Sequence, residues 1–106
     1  MNFLEVQTTF SSREEAEKVC KALIEERLAA CVNLYDTRSM YWWKGMIEEE
    51  GEVIAVFKTS EDKYDALSIK LKELHSYEIP MIVAVPIVKG SREYLSWLEE
   101  SLEQGV

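Results

Sequence analysis

Two long β-rich runs, from about Ala30 to Trp43 and from about Met46 to Thr59, are separated only by Lys44-Gly45. A glycine in a tight turn supplies the positive φ that a short hairpin needs. The two runs are therefore read as antiparallel neighbours. Most strands have about five or six residues, so strands this long must project beyond the body of a small domain as an arm. The acids Glu48, Glu49, Glu50 and Glu52 lie on this arm. They lack the Asp/Asn/Gly spacing of a calcium loop and are read as a solvated face. Trp42 and Trp43 alternate across the arm and suit interface anchoring, one on its own sheet and one on a neighbour.

The flanking segments follow local rules. Phe3 to Thr9 is β-rich, within an N-terminal stretch, Met1 to Phe10, that reads as a strand. Ser11 or Ser12 caps a helix with Glu14 and Glu15 in its first turn. Ala16, Val19, Cys20, Leu23, Ile24 and Leu28 recur at helical spacing along it. Ser60 caps a second helix whose apolar face is Tyr64, Leu67, Leu71, Leu74 and His75. Pro80 forces the chain out of helix, and Met81 to Val88 forms a fourth strand. Ser91 begins a last helix bearing Tyr94, Leu95, Trp97, Leu98 and Leu102.

The order is β-α-β-β-α-β with a terminal helix. It predicts an α+β ferredoxin-like sandwich with strands 1 and 3 central and strands 2 and 4 at the edges. Pro86 fits an edge. The 106 residues suit a single domain, 1–106, and 47% hydrophobic content supplies a core without a disulfide or metal staple. Twenty acids against twelve bases leave a net charge of −8, which argues against nucleic acid or an anionic membrane as partner. The N-terminus lacks a basic n-region and a long apolar run, so the expectation is a cytoplasmic protein without a signal peptide or membrane span. Two cysteines without CxxC spacing read as free thiols in a reducing compartment.

Both main helices of such a fold cover one face of the sheet. A monomer would keep the other face polar, yet strand 3 carries Val53, Ala55 and Phe57 on one side and Ile54 and Val56 on the other. Strand 4 behaves alike, with Met81, Val83, Val85 and Ile87 opposing Ile82, Ala84 and Val88. Two readings stay open: the terminal helix, with Trp97 and Leu98, closes the second face alone, or identical subunits pack on it.

Several blocks resemble one family in the right order. They are Arg27-Leu28-Ala29-Ala30-Cys31-Val32-Asn33, Ser39-Met40-Tyr41-Trp42-Trp43-Lys44-Gly45, Phe57-Lys58-Thr59, Leu74-His75-Ser76-Tyr77-Glu78-Ile79-Pro80 and Tyr94-Leu95-Ser96-Trp97. The chain is similar to the CutA divalent-cation-tolerance family. The resemblance implies a ferredoxin-like subunit in a homotrimer and a role in tolerance of divalent cations, with copper(II) the usual metal. It also implies architectural kinship to PII proteins, and hence an alternative: a trimeric regulatory or scaffold protein binding a small ligand in intersubunit clefts.

His75, the sole histidine, has two readings: a metal ligand facing such a cleft, or a helix-end residue bonding a carbonyl. Where some members of the family carry a strand-1 cysteine and a second histidine, this chain has Gln7 and Leu74, and Met81 stands where a glutamate is frequent. Neither Gln7 nor Leu74 is a useful copper(II) donor, and Met81 removes one carboxylate from a cleft or metal site. Lys58, Tyr77, Glu78 and Tyr41 form a polar set that would line an intersubunit cleft, or else pair and pack structurally. Cys20 and Cys31 read as buried core thiols. Trp42, Trp43 and Trp97 are interface candidates. Enzyme motifs such as G-x-S-x-G, Walker, dinucleotide-glycine and H-E-x-x-H are absent, so the sequence predicts a non-enzyme.

Overall fold

The computed structural model describes residues 2–103. Met1, at the head of the predicted first strand stretch, and residues 104–106 of the chain expected to form a single domain lie outside them.

The elements run β1 (Phe3–Phe10), α1 (Arg13–Glu25), β2 (Cys31–Trp43), β3 (Met46–Ser60), a short 3₁₀ turn (Glu61–Lys63), α2 (Tyr64–Leu74), β4 (Val83–Pro86) and α3 (Arg92–Leu102). The sheet order is β2-β3-β1-β4 and every pairing is antiparallel. This is the predicted arrangement, with strands 1 and 3 central.

Local chemistry explains the element ends. Ser12 accepts from the Glu15 amide and Ser91 from the Tyr94 amide, so each hydroxyl satisfies an orphan donor of its helix. α1 stops at Glu25, short of the predicted Leu28. Arg27 turns left-handed (φ 57°), and the Arg27 and Leu28 amides bond back to the Ile24 and Leu23 carbonyls. Those two bonds close a Schellman motif. Ser60 caps the 3₁₀ turn rather than α2, and its side chain makes no cap bond. The arm's turn has positive φ at both Lys44 (51°) and Gly45 (81°), a type I′ geometry that matches strand twist.

β4 is half the predicted length. It pairs with β1 only from Leu4 to Gln7, because past Gln7 the space beside β1 is taken by the turn after α2, where His75 bonds Thr9.

The pleat separates two faces. Val6, Phe10, Val53, Ala55 and Phe57 meet Ala16, Val19, Cys20 and Leu23 of α1 and Leu67 and Leu71 of α2 in one core. On the opposite face α3 covers only one end, burying Phe3, Leu98 and Leu102 together. The remainder of that face stays open, with Tyr35 51% exposed, Val83 45% and Val85 46%, and Trp97 on α3 itself is 45% exposed. The arm stretches the molecule to 46 Å in its longest dimension.

Candidate functional site

Strand alternation places Tyr41, Glu48, Glu50 and Glu52 on one face of the arm, since Tyr41 opposes Glu48, Ser39 opposes Glu50 and Thr37 opposes Glu52. The segment after α2 folds back against the base of that face. Between them lies a cavity of about 730 Å³ lined by Glu50, Glu52 and Glu78, the rings of Tyr41, Trp43 and Tyr77, and apolar side chains including Ile79 and Met81.

Two phenols fix the acids. Tyr77 Oη donates to Glu52 Oε2 at 2.5 Å, and Tyr41 Oη donates to Glu50 Oε1 at 2.6 Å. Burial, reinforced by the hydrogen bond to Glu52 and by the negative charge of Glu52 and Glu50, drives the Tyr77 phenol far above its ordinary pKa. The bond to Glu50 pushes Tyr41 up to about 12. Both phenols remain protonated donors at neutral pH. Glu52 corrects the reading of a wholly solvated acidic face: it is 7% exposed. The cleft's one arginine, Arg38, holds Glu49 at 2.9 Å.

His75 organises the wall of the cleft. The Tyr77 amide donates to Nδ1 at 3.1 Å, so Nδ1 is unprotonated and Nε2 carries the hydrogen. Nε2–H donates to the Thr9 carbonyl at 2.8 Å. The ring is buried and stacks on Phe10 with centroids 4.6 Å apart. Both nitrogens of the sole histidine are thus engaged by backbone, and the residue follows α2 as its C-cap rather than lying on its apolar face. Leu74, also assigned to that face, is 39% exposed.

The predicted polar set divides. Tyr41, Tyr77 and Glu78 line the cleft together. Lys58 does not: it lies six residues along β3 from Glu52, about 20 Å at strand rise, and bonds Asn33 Oδ1 at 2.7 Å with Glu5 at 3.9 Å. Cys31 faces Lys58 across the strands and meets Tyr94 Oη at 3.5 Å, so it is half-buried rather than a core thiol. Cys20 is buried. Trp42 is 72% exposed on the arm. Trp43 is half-buried with Lys44 Nζ 5.6 Å from its ring centre, and Trp97 packs at a tilt against Tyr94.

Glu50 and Glu52 were missed as cleft residues. The available signal was their shared face with Tyr41 and, for Glu52, its position next to the apolar block that starts at Val53.

Copper(II) takes several nitrogen or oxygen donors in a tetragonal plane. No group of three or more His, Cys, Asp or Glu is placed to hold a metal among the described residues. With both His75 nitrogens engaged, the donors of one chain do not fit a tight copper site.

Residues 4–101 match the family model described as CutA1 divalent ion tolerance protein. The divalent-cation tolerance protein CutA of Pyrococcus horikoshii is 46% identical over 99 residues, covering 93% of this chain and 97% of that protein. That of Archaeoglobus fulgidus is 41% identical over 102 residues, covering 96% and 98%. Among solved structures, the periplasmic divalent cation tolerance protein CutA from Archaeoglobus fulgidus superimposes with a TM-score of 0.93 at 40% identity, covering 95% of this chain and 99% of that one. CutA1 from Oryza sativa gives 0.94 at 34% identity, covering 99% and 97%.

Proposed function

The chain belongs to the CutA1 divalent ion tolerance family, and from that premise we propose that it serves divalent-cation tolerance as a homotrimer whose cation-attracting element is the cleft between the arm and the turn after α2. The observation that carries this reading is the charge of that cleft. Glu50, Glu52 and Glu78 line one cavity, and the arginine beside them is committed to Glu49. Such a concave acidic site concentrates cations from solution.

Within one chain the association is weak and labile, held by single carboxylates rather than by a closed coordination set. A tighter site for copper(II) or a related ion takes donors from more than one copy. Assembly is supported by the open sheet face of Tyr35, Val83 and Val85, by the exposed Trp97 on α3 and by the exposed Trp42 on the arm. The outer strands β2 and β4 also present unpaired edges among the described residues. No particular feature favours the PII-like regulatory reading over this one, and no catalytic step is assigned to the chain. Among the described residues no helix is long and apolar enough to cross a membrane.

Calorimetric titration with Cu(II) tests the proposal on wild type and on a double variant, Glu50→Gln with Glu78→Gln. Glu78 is exposed, and glutamine at half-buried position 50 keeps an acceptor for Tyr41, so the fold persists. Binding several-fold weaker in the double variant supports the cleft; unchanged binding removes it from the account.

A further inference from the structure

Glu52 is more than nine-tenths buried, yet no Lys, Arg or His pairs with it among the described residues. Only its Oε2 is bonded, by Tyr77. Its Oε1 has no partner among the described residues, and it is not sealed in, since no buried side-chain oxygen or nitrogen there is left unbonded. Oε1 therefore opens into the cavity that Glu52 lines. A carboxylate this desolvated is costly unless a positive charge meets it.

The cavity says what kind of charge fits. Its volume of about 730 Å³ falls in the range of about 300–1,000 Å³ typical of sites for organic molecules, far beyond what a bare ion fills. A bare transition metal would in addition need a cluster of donors that the described residues do not supply. Tyr77 bonds Glu52 directly and Tyr41 stands beside it, while the ring of Trp43 lines the cavity farther along the arm. Aromatic faces attract ammonium groups through the ring quadrupole. This molecule already shows one such contact, Lys44 Nζ over Trp43 at 5.6 Å.

We propose that the cleft is a binding site for an organic ammonium ion, with the charge on Glu52 Oε1 and an apolar body against Tyr77 and Tyr41. The inference rests on the cleft being the functional site, and it names a ligand class for it. An ammonium and a divalent cation would compete for the same carboxylate field, so each lowers the apparent affinity of the other.

The test uses the protein in its solution assembly. Phenethylammonium and its neutral isostere phenethyl alcohol are titrated by calorimetry, with tryptophan and tyrosine fluorescence as a second readout. Saturable binding of the ammonium, about tenfold or more tighter than the alcohol, supports the proposal. Glu52→Gln keeps the shape and an acceptor for Tyr77 and should erase that preference. Tyr77→Phe removes the donor that now occupies Oε2 and should keep or strengthen ammonium binding. Equal binding of ammonium and alcohol, no saturable binding, or a Glu52→Gln variant that binds like wild type each overturns the proposal. So does loss of binding in Tyr77→Phe. If any of these occurs while Glu50→Gln with Glu78→Gln still weakens Cu(II) binding, the ammonium site fails and the cation cleft stands.

Discussion

His75→Ala separates a structural histidine from a metal ligand. The substitution deletes the Nε2–H bond to the Thr9 carbonyl, the Nδ1 acceptor of the Tyr77 amide and the stack on Phe10. Each hydrogen bond contributes about 1 kcal/mol and the stack about 0.5–1.5 kcal/mol. The expected loss is therefore about 3 kcal/mol, weighted upward because the ring is buried and its partners are left without replacements. In urea that corresponds to a midpoint lower by about 1–3 M for a chain of this size. The measurement is made at fixed protomer concentration, since self-association shifts apparent stability. His75→Gln, whose amide can still donate toward Thr9, should recover about 1 kcal/mol. Copper titration of the folded variants should match wild type. A midpoint shift worth less than about 0.5 kcal/mol, the scale of a neutral surface change, would refute the interlock. Loss of copper binding by a variant of wild-type stability would restore His75 as a ligand.

Gly45→Ala should cost about 1 kcal/mol in thermal unfolding. Nothing lies within 4 Å of the added Cβ, so the whole effect is the φ of 81°; an unchanged melting temperature would contradict the turn geometry. Burial raises the Cys20 thiol to about 12 from 9.0. The fold thus favours its protonated form, and this contribution is intact below pH 9 and is lost as pH rises toward 12. A Cys20→Ala variant should show a flatter alkaline fall in stability over that window, and parallel curves would refute the assignment. In the native state at neutral pH a thiol reagent should modify half-buried Cys31 well before buried Cys20, as read by mass spectrometry of the labelled peptides; the reverse order would contradict the placement of the two thiols.

Much of the fold was legible because the signals are local. Two residues between long β-rich runs force a hairpin, and its register follows from Lys44-Gly45 through to Cys31 opposite Lys58. Ser12 and Ser91 announced their helices by side-chain chemistry alone. The misplaced ends were set by longer-range terms. α1 ends early because Arg27 adopts a left-handed conformation and its guanidinium bonds the Ser101 carbonyl on α3. β4 is short because His75 and its turn occupy the flank of β1.

The site was legible in part for the same reason. Tyr41, Tyr77 and Glu78 line one cavity, and Lys58 stands apart from them, since pleat and rise put it at the far end of β3. Glu52 looked like one more solvated acid. Only the docking of Tyr77, 25 residues away in sequence, buries it and gives its carboxylate a hydrogen-bonded orientation.

An apolar patch on the second face of the sheet, with Tyr35, Val83 and Val85 open and α3 covering only one end, is the feature on which the proposed assembly and its clefts depend. Sedimentation equilibrium at low micromolar concentration measures this directly. The account predicts one folded species of three times the 12.3 kDa chain mass. A stable, folded species at the mass of a single chain would contradict it.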